Sequence, residues 1–240
     1  MGQSQKLLTG IALVALATLA GGPLAHASPV GATLSANYFK VANGTDHDFP
    51  GGTTNVVLGS NLGPNGLPVT SGGGALEIDP LTNEVTWWSP ALNSHVVATG
   101  TGTITLPYGS NMYAPNSTGN NDGSFFETAF FKGNFTLSSV QSVEFLLGSD
   151  DDSFIYVDDK LIGSNPGIHG VSNVDFTADN LSAGSHSLEV FYADRDQVGA
   201  YLSLSLVSSG VTITPAVPEP AALSLLGVGL IGVGFLRRRR

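Results

Sequence analysis

Apolar residues in this chain recur at a spacing of two, in short runs broken by glycine, asparagine and proline. Such alternation points successive side chains to opposite faces of a pleated strand. No ten-residue stretch of the first half of the body shows the 3.6-residue period of a helix. Residues 34–41 alternate, and 55–58, 75–78, 84–88, 96–98 and 101–106 are further strand candidates. Turn formers such as Gly51-Gly52, Asn65-Gly66 and Ser71-Gly72-Gly73-Gly74 separate them. From Gly123 onward the pattern strengthens into 124–132, 135–137, 143–147, 154–157, 160–162, 171–176, 185–193 and 200–207. Asp158-Asp159 sits between two of these runs as a hairpin turn. Short, regularly spaced strands predict an all-β fold, a two-sheet antiparallel β-sandwich of jelly-roll type over residues 28–214.

The two ends break this pattern. Lys6, an apolar run over 7–20 and Ala25-His26-Ala27 form the parts of a secretory signal peptide, residues 1–27. At the other end Val217-Pro218-Glu219-Pro220 precedes an uncharged stretch, 221–236, and then Arg237, Arg238, Arg239 and Arg240. That stretch is slightly short of the ~20 residues that cross a bilayer as a helix. Flanking prolines and snorkelling arginines extend its reach, so a transmembrane helix is expected, with the arginines on the cytoplasmic side.

Charge and composition narrow the function. Residues 28–214 carry 18 acidic side chains against four basic ones, Lys40, Lys132, Lys160 and Arg195. An acidic body repels nucleic acid and anionic lipid, which excludes both as its partners. Solubility accounts for most of these charges, but less well for three consecutive aspartates, Asp150-Asp151-Asp152. The chain has no cysteine, so disulfide frameworks and thiolate metal sites are excluded. His47, His95, His169 and His186 show no His-x-x-x-His spacing, and no Gly-x-Ser-x-Gly elbow occurs. These absences argue against an enzyme.

The C-terminal segment resembles a PEP-CTERM sorting signal over about residues 216–240, on Pro218, Glu219, Pro220, the apolar span and the four terminal arginines. The resemblance implies an exosortase as processing partner, anchorage in the inner membrane by the C-terminal helix, and delivery to the cell surface or extracellular polysaccharide. The domain division is then 1–27 signal peptide, 28–214 sandwich and 215–240 sorting signal.

Residues 147–161 resemble the core of the protective-antigen-type domain in its fibro-slime variant. Asn165-Pro166-Gly167-Ile168-His169-Gly170 resembles that variant's glycine-histidine turn, and 185–195 its strand ending in Ala-Glu-Arg-His. After Arg195 the sequence departs from the family pattern. The resemblance implies that Asp150 and Asp151 are joined by a cis peptide and bind Ca²⁺, with Asp152 as a helper. An all-oxygen donor set suits Ca²⁺ better than a transition metal. A second loop should complete the site, with Asp196 the first candidate and Asp194 an alternative that could instead pair with Arg195. Phe154 stands where an EF-hand needs a ligand, which excludes that loop. Trp87 and Trp88 could stack on a sugar ring, although one of two adjacent strand residues normally faces the core. The reading that follows is an exported calcium-dependent carbohydrate-binding or adhesion protein. A structural matrix protein without a ligand and a secreted polysaccharide hydrolase are the rivals.

Overall fold

The computed structural model describes residues 32–52 and 55–216. The signal peptide, the C-terminal helix and the residues of the Pro-Glu-Pro and arginine motifs lie outside the described residues. Within them the chain forms strands and loops, with no helix. The strands are β1 (Thr33–Ala42), β2 (Leu58–Leu62), β3 (Pro68–Thr70), β4 (Val96–Thr105), β5 (Tyr108–Asn111), β6 (Phe125–Leu137), β7 (Gln141–Asp150), β8 (Asp152–Val157), β9 (Lys160–Asn165), β10 (Ser172–Leu181), β11 (Gly184–Ala193), β12 (Tyr201–Leu206) and β13 (Ile213–Pro215).

Two antiparallel sheets result. The larger runs β3-β2-β9-β8-β11-β6-β1-β4, and β13 adds to β6 just beyond the start of β1. The smaller runs β10-β7-β12-β5. Leu34, Phe131, Phe145, Leu147, Leu188 and Leu204 are among the buried residues that fill the space between them. The Asp158-Asp159 turn is as expected, both residues having positive φ as a tight I′-type hairpin requires.

The larger sheet is covered on its other face as well. Residues 43–95, inserted between the paired strands β1 and β4, fold back as a largely irregular layer. They build a second core of Phe49, Trp87 and Trp88 against Phe126, Phe154 and Phe191. A strand buried on both faces loses alternation, and β8 is buried at every position.

This layer corrects several expectations. Residues 75–78 and 84–88 are not strands; they make only isolated bridges, Val69 to Glu84 and Ile78 to Val85. Their amides are held instead partly by side chains and partly by carbonyls outside any ladder, Val85 donating to Pro68 and Thr86 to Glu77. Asp48 accepts from the Leu76 and Glu77 amides, and Glu84 from Asn65, Leu67 and Thr82. The 96–98 and 101–106 candidates merge into β4 across a bulge. The 124–132 and 135–137 candidates merge into β6, because Gly133 is not a break. A Cβ there would stand 2.5 Å from Leu34 Cδ2 and 2.7 Å from Ile213 Cγ2, so glycine lets two chain segments close on the strand.

Trp87 and Trp88 belong to this core, which removes the sugar-stacking expectation. They are 0% and 2% exposed. Trp87 Nε1 donates to Asp48 Oδ2 (2.7 Å) and Trp88 Nε1 to the Tyr192 carbonyl (2.7 Å). Burying an aromatic side chain removes ~150–250 Å² from water. At about 25 cal/mol per Å² this favours the interior by about 4–6 kcal/mol per ring, as an upper bound.

Candidate functional site

Asp150 ends β7 and Asp152 opens β8, so the chain crosses between the sheets at Asp151. Register places the neighbours of this crossing. Asp150 stands opposite Tyr201 of β12, and Asp152 opposite Ala193 of β11. The segment Asp194 to Ala200, which joins β11 to β12, therefore lies beside the aspartates. The Asp150–Asp151 peptide is cis, as the family resemblance implies.

The three aspartates have three different surroundings. Asp152 is fully buried, and its Oδ2 accepts from Arg195 Nε at 2.6 Å while Oδ1 accepts from the Gly167 amide at 2.6 Å. The Arg195 guanidinium lies over the Trp87 ring, 4.8 Å from its centroid. Asp152 is thus engaged in an inward ion pair. The same contact shows that Arg195 pairs with Asp152 and not with Asp194. Asp151 is held by backbone: Oδ1 accepts from the His169 amide (2.9 Å) and Oδ2 from the Arg195 amide (2.8 Å). Burial nevertheless raises its pKa to about 6. Asp150 is the open one. It is 7% exposed, and its Oδ1 has no partner among the described residues. Burial raises its pKa too. Gly199 makes room for it: with φ of 86°, a Cβ at Gly199 would stand 2.5 Å from Asp150 Oδ2.

Two further carboxylates join them, Asp194, which the sequence offered only as an alternative, and Asp122, which it did not single out. Asp194 is fully buried and neither of its oxygens has a partner among the described residues. Burial, then the charges of Asp151 and Asp122, push its pKa to about 10. The Asp196 amide offsets this slightly without forming an aligned hydrogen bond. Asp122, in the β5–β6 loop, is 5% exposed with Oδ2 unpartnered. Burial raises its pKa, with a contribution from Asp196. Asp196 itself is partly exposed at the rim, where its charge also acts on Asp150. His169 adds one more orphan. Its Nδ1 faces the Gly170 carbonyl (3.0 Å) and so carries a proton, while Nε2 is buried without a partner.

Asp150, Asp151 and Asp196 are therefore brought to one end of the sandwich, and Asp152 is withdrawn from it. Asp122 was missed because Asn120-Asn121-Asp122-Gly123 reads as an ordinary turn. Carboxylates buried beside one another without donors are costly as anions, and a bound cation is one way to relieve them. The donors are nearly all hard oxygens, and the unpartnered atoms together with the Gly199 cradle fit Ca²⁺ in chemistry. No three carboxylate or histidine groups among the described residues already form a metal-holding group. If Ca²⁺ binds, Asp150 and Asp151 would hold it with Asp196 at the rim, and the ion would supply charge neutralisation and open coordination positions.

Comparisons with known proteins bear on the tail and the body separately. Residues 216–240 match the PEP-CTERM protein-sorting motif. This marks an exported chain and places its sorting signal at the C-terminus. No curated protein matches the chain. Among solved structures, the chain is similar to a PA14 sugar-binding domain from an RTX adhesin, at 16% identity and TM-score 0.38, covering 76% of this chain and 94% of that one. It is similar to the epithelial adhesin 9 A domain of Candida glabrata, solved with Galβ1-4GlcNAc, at 10% identity and TM-score 0.38, covering 79% and 84%. It is also similar to a GH31 α-xylosidase from Xanthomonas citri, at 19% identity and TM-score 0.36, covering 52% of this chain but spanning only 13% of the enzyme.

Proposed function

We propose that this exported chain is a surface adhesion module that binds Ca²⁺ at the Asp150–Asp151 crossing and uses the ion to hold carbohydrate hydroxyls. The observation that carries the reading is the unpartnered Asp150 Oδ1, in a rim where Asp194 and Asp122 are also buried without donors. Saturated carboxylates elsewhere in the body need no ion; at these a cation would supply the missing partner. The resemblance of residues 147–161 to protective-antigen-type domains supports the same reading. Vicinal hydroxyls of a sugar would fill coordination positions that the protein leaves free. Processing by an exosortase at the Pro-Glu-Pro motif, and association with exopolysaccharide, follow from the sorting signal as parts of this proposal.

Calorimetric titration of the full chain with Ca²⁺ tests the first half. A binding heat that Asp150→Ala and Asp151→Ala each abolish is expected. No heat, together with a melting temperature unmoved by chelator, would leave a structural matrix protein as the reading. A glycan array probed with and without Ca²⁺ tests the second half. Binding to sugars that persists in chelator would separate carbohydrate recognition from the ion.

A further inference from the structure

The body's charge is unevenly spread. Of the 18 acidic side chains between residues 28 and 214, none lies in 85–121, and that stretch has no lysine or arginine either. It holds β4 and β5, the end strands of the larger and the smaller sheet, joined through Leu106-Pro107. The strands along one flank of the sandwich are therefore uncharged, on a body that is otherwise strongly acidic.

An end strand offers its free amides and carbonyls to any strand that approaches. The other sheet ends are closed, charged or short. β3 has three residues, and its outer side is taken: the Pro68 carbonyl accepts from the Val85 amide, and the Thr70 amide donates to the Asn83 carbonyl. β10 carries exposed Asp175 and Asp179 and a register break between Ala178 and Leu181. β5 has only four residues. β4 has ten, without proline or charge. Its first half is closed at the bulge, where Asn116 Nδ2 donates to the Thr99 carbonyl (3.2 Å). Beyond the bulge the register runs unbroken, from Gly100 opposite Tyr38 to Thr105 opposite Thr33. The Leu106 amide donates to the Ala32 carbonyl (2.8 Å), which sets the phase. Bonding alternates along an antiparallel pair, so Ile104 and Gly102 turn their backbone groups to β1 and Thr101, Thr103 and Thr105 turn theirs outward. All three threonines are exposed, and among the described residues no other segment bonds to their backbone.

We propose that β4 is a homotypic seam: it pairs antiparallel with β4 of a second copy about a two-fold axis at Thr103, which sets Thr101 opposite the partner's Thr105. The outward groups of three residues on each copy then meet in register, and the threonine side chains form cross-strand pairs. Charge selects a second copy as the occupant. Copies meeting through their acidic faces would repel, and along this flank they approach without that cost. Charged residues that would block such pairing are missing from the edge. The seam is short, but exported chains held on one surface meet at high local concentration, where weak contacts suffice. The pairing needs no cation, so it stands apart from the reading of the acidic rim.

The chain has no cysteine, so a single introduced one reports only on its own neighbours. Thr103→Cys is compared with Thr177→Cys, an exposed control on β10, in the full chain in detergent under mild oxidation. Residues opposite one another in such a bonded pair lie ~5.5 Å apart at Cα, within the ~4.4–6.8 Å that a disulfide spans. Thr103→Cys should give a disulfide-linked dimer at least fivefold faster than the control. A mixture of Thr101→Cys and Thr105→Cys should cross-link faster than either alone, which random collision would not produce. Sedimentation over a concentration series should show the parent self-associating. Thr103→Lys and Thr103→Pro alter only the outward side of the strand, and both should be monomeric with melting temperature close to the parent's. Chelator should change none of these results. Equal cross-linking at 103 and 177, a parent that stays monomeric, or a dimer that survives Thr103→Lys and Thr103→Pro would each overturn the seam. Cysteine is close to threonine in size, so the cross-linking result does not depend on the other variants folding.

Discussion

Asp48 and Asp194 are both buried aspartates, and they are opposite in kind. Asp48 accepts hydrogen bonds from two backbone amides and from Trp87 Nε1. Asp194 accepts no aligned hydrogen bond from any described residue. The difference holds for whole regions. In the irregular layer over the larger sheet, Asp48 and Glu84 do the work that a strand ladder would do, each organising several donors. At the rim, Asp122, Asp150 and Asp194 are buried while at least one oxygen of each goes unanswered. Burial alone therefore does not identify a binding site, because ten carboxylates are buried among the described residues. The deficit of donors separates the few at the rim from the many that hold the fold.

The largest expected effect breaks the saturated side of that comparison. Arg195→Met leaves Asp152 buried and unpaired, and chemical denaturation should show a loss of about 3–5 kcal/mol. Asp48→Ala should cost about 2–4 kcal/mol by the same measurement, since it strands buried amide and indole donors. On the donor-poor side, Ca²⁺ at a hundredfold excess over its dissociation constant should stabilise the full chain by about 2.7 kcal/mol. Asp150→Asn should erase that gain in thermal melts.

Glu127 lies between the two kinds. It is fully buried and accepts from Ser117, yet burial raises its pKa to about 8. A carboxyl raised above its unfolded value stabilises the fold at low pH and loses that contribution as pH climbs from about 4.3 to its folded value. Glu127→Gln should therefore fall below the parent in melting temperature near pH 5 and gain on it by pH 9. The smallest effect is at His186. Burial opposes its imidazolium, but Asp158 Oδ2 at 2.6 Å and the Ser182 carbonyl at 2.9 Å face its two nitrogens, and its pKa is raised. The stability this contributes is present below about pH 6.5 and is lost as pH rises through the folded value. Melts of His186→Gln should differ from the parent most at pH 6 and least at pH 9.

The sandwich was legible because its later strands alternate. Residues 143–147, 185–193 and 200–207 carry enough period-two signal to survive small errors of boundary. The inserted layer was not legible. Residues 75–78 and 84–88 have strand-like composition, but the Leu76 and Glu77 amides go to Asp48 and the Val85 amide to the Pro68 carbonyl, and nothing local announces that. The acidic crossing was half legible. Three adjacent aspartates stand out in a sequence, and alternation implies that they cannot share one face. Which of them turns inward depended on Arg195, 43 residues on from Asp152. Asp122 could be found only once the loops had been brought together. The acidity that reads as a soluble surface is, for ten residues, interior structure.

Where the body's two ends lie has a mechanical consequence. Ser35 near the start of β1 stands opposite Lys132, and Pro215 at the close of β13 stands opposite the adjoining Gly133. Chain entering and chain leaving thus share one point of attachment on β6. A tug between the flanking segments would be borne by that short seam and would not run through the sandwich. The module is hung as a pendant, not threaded as a bead. A ligand pulling on the acidic rim would load the body against that seam.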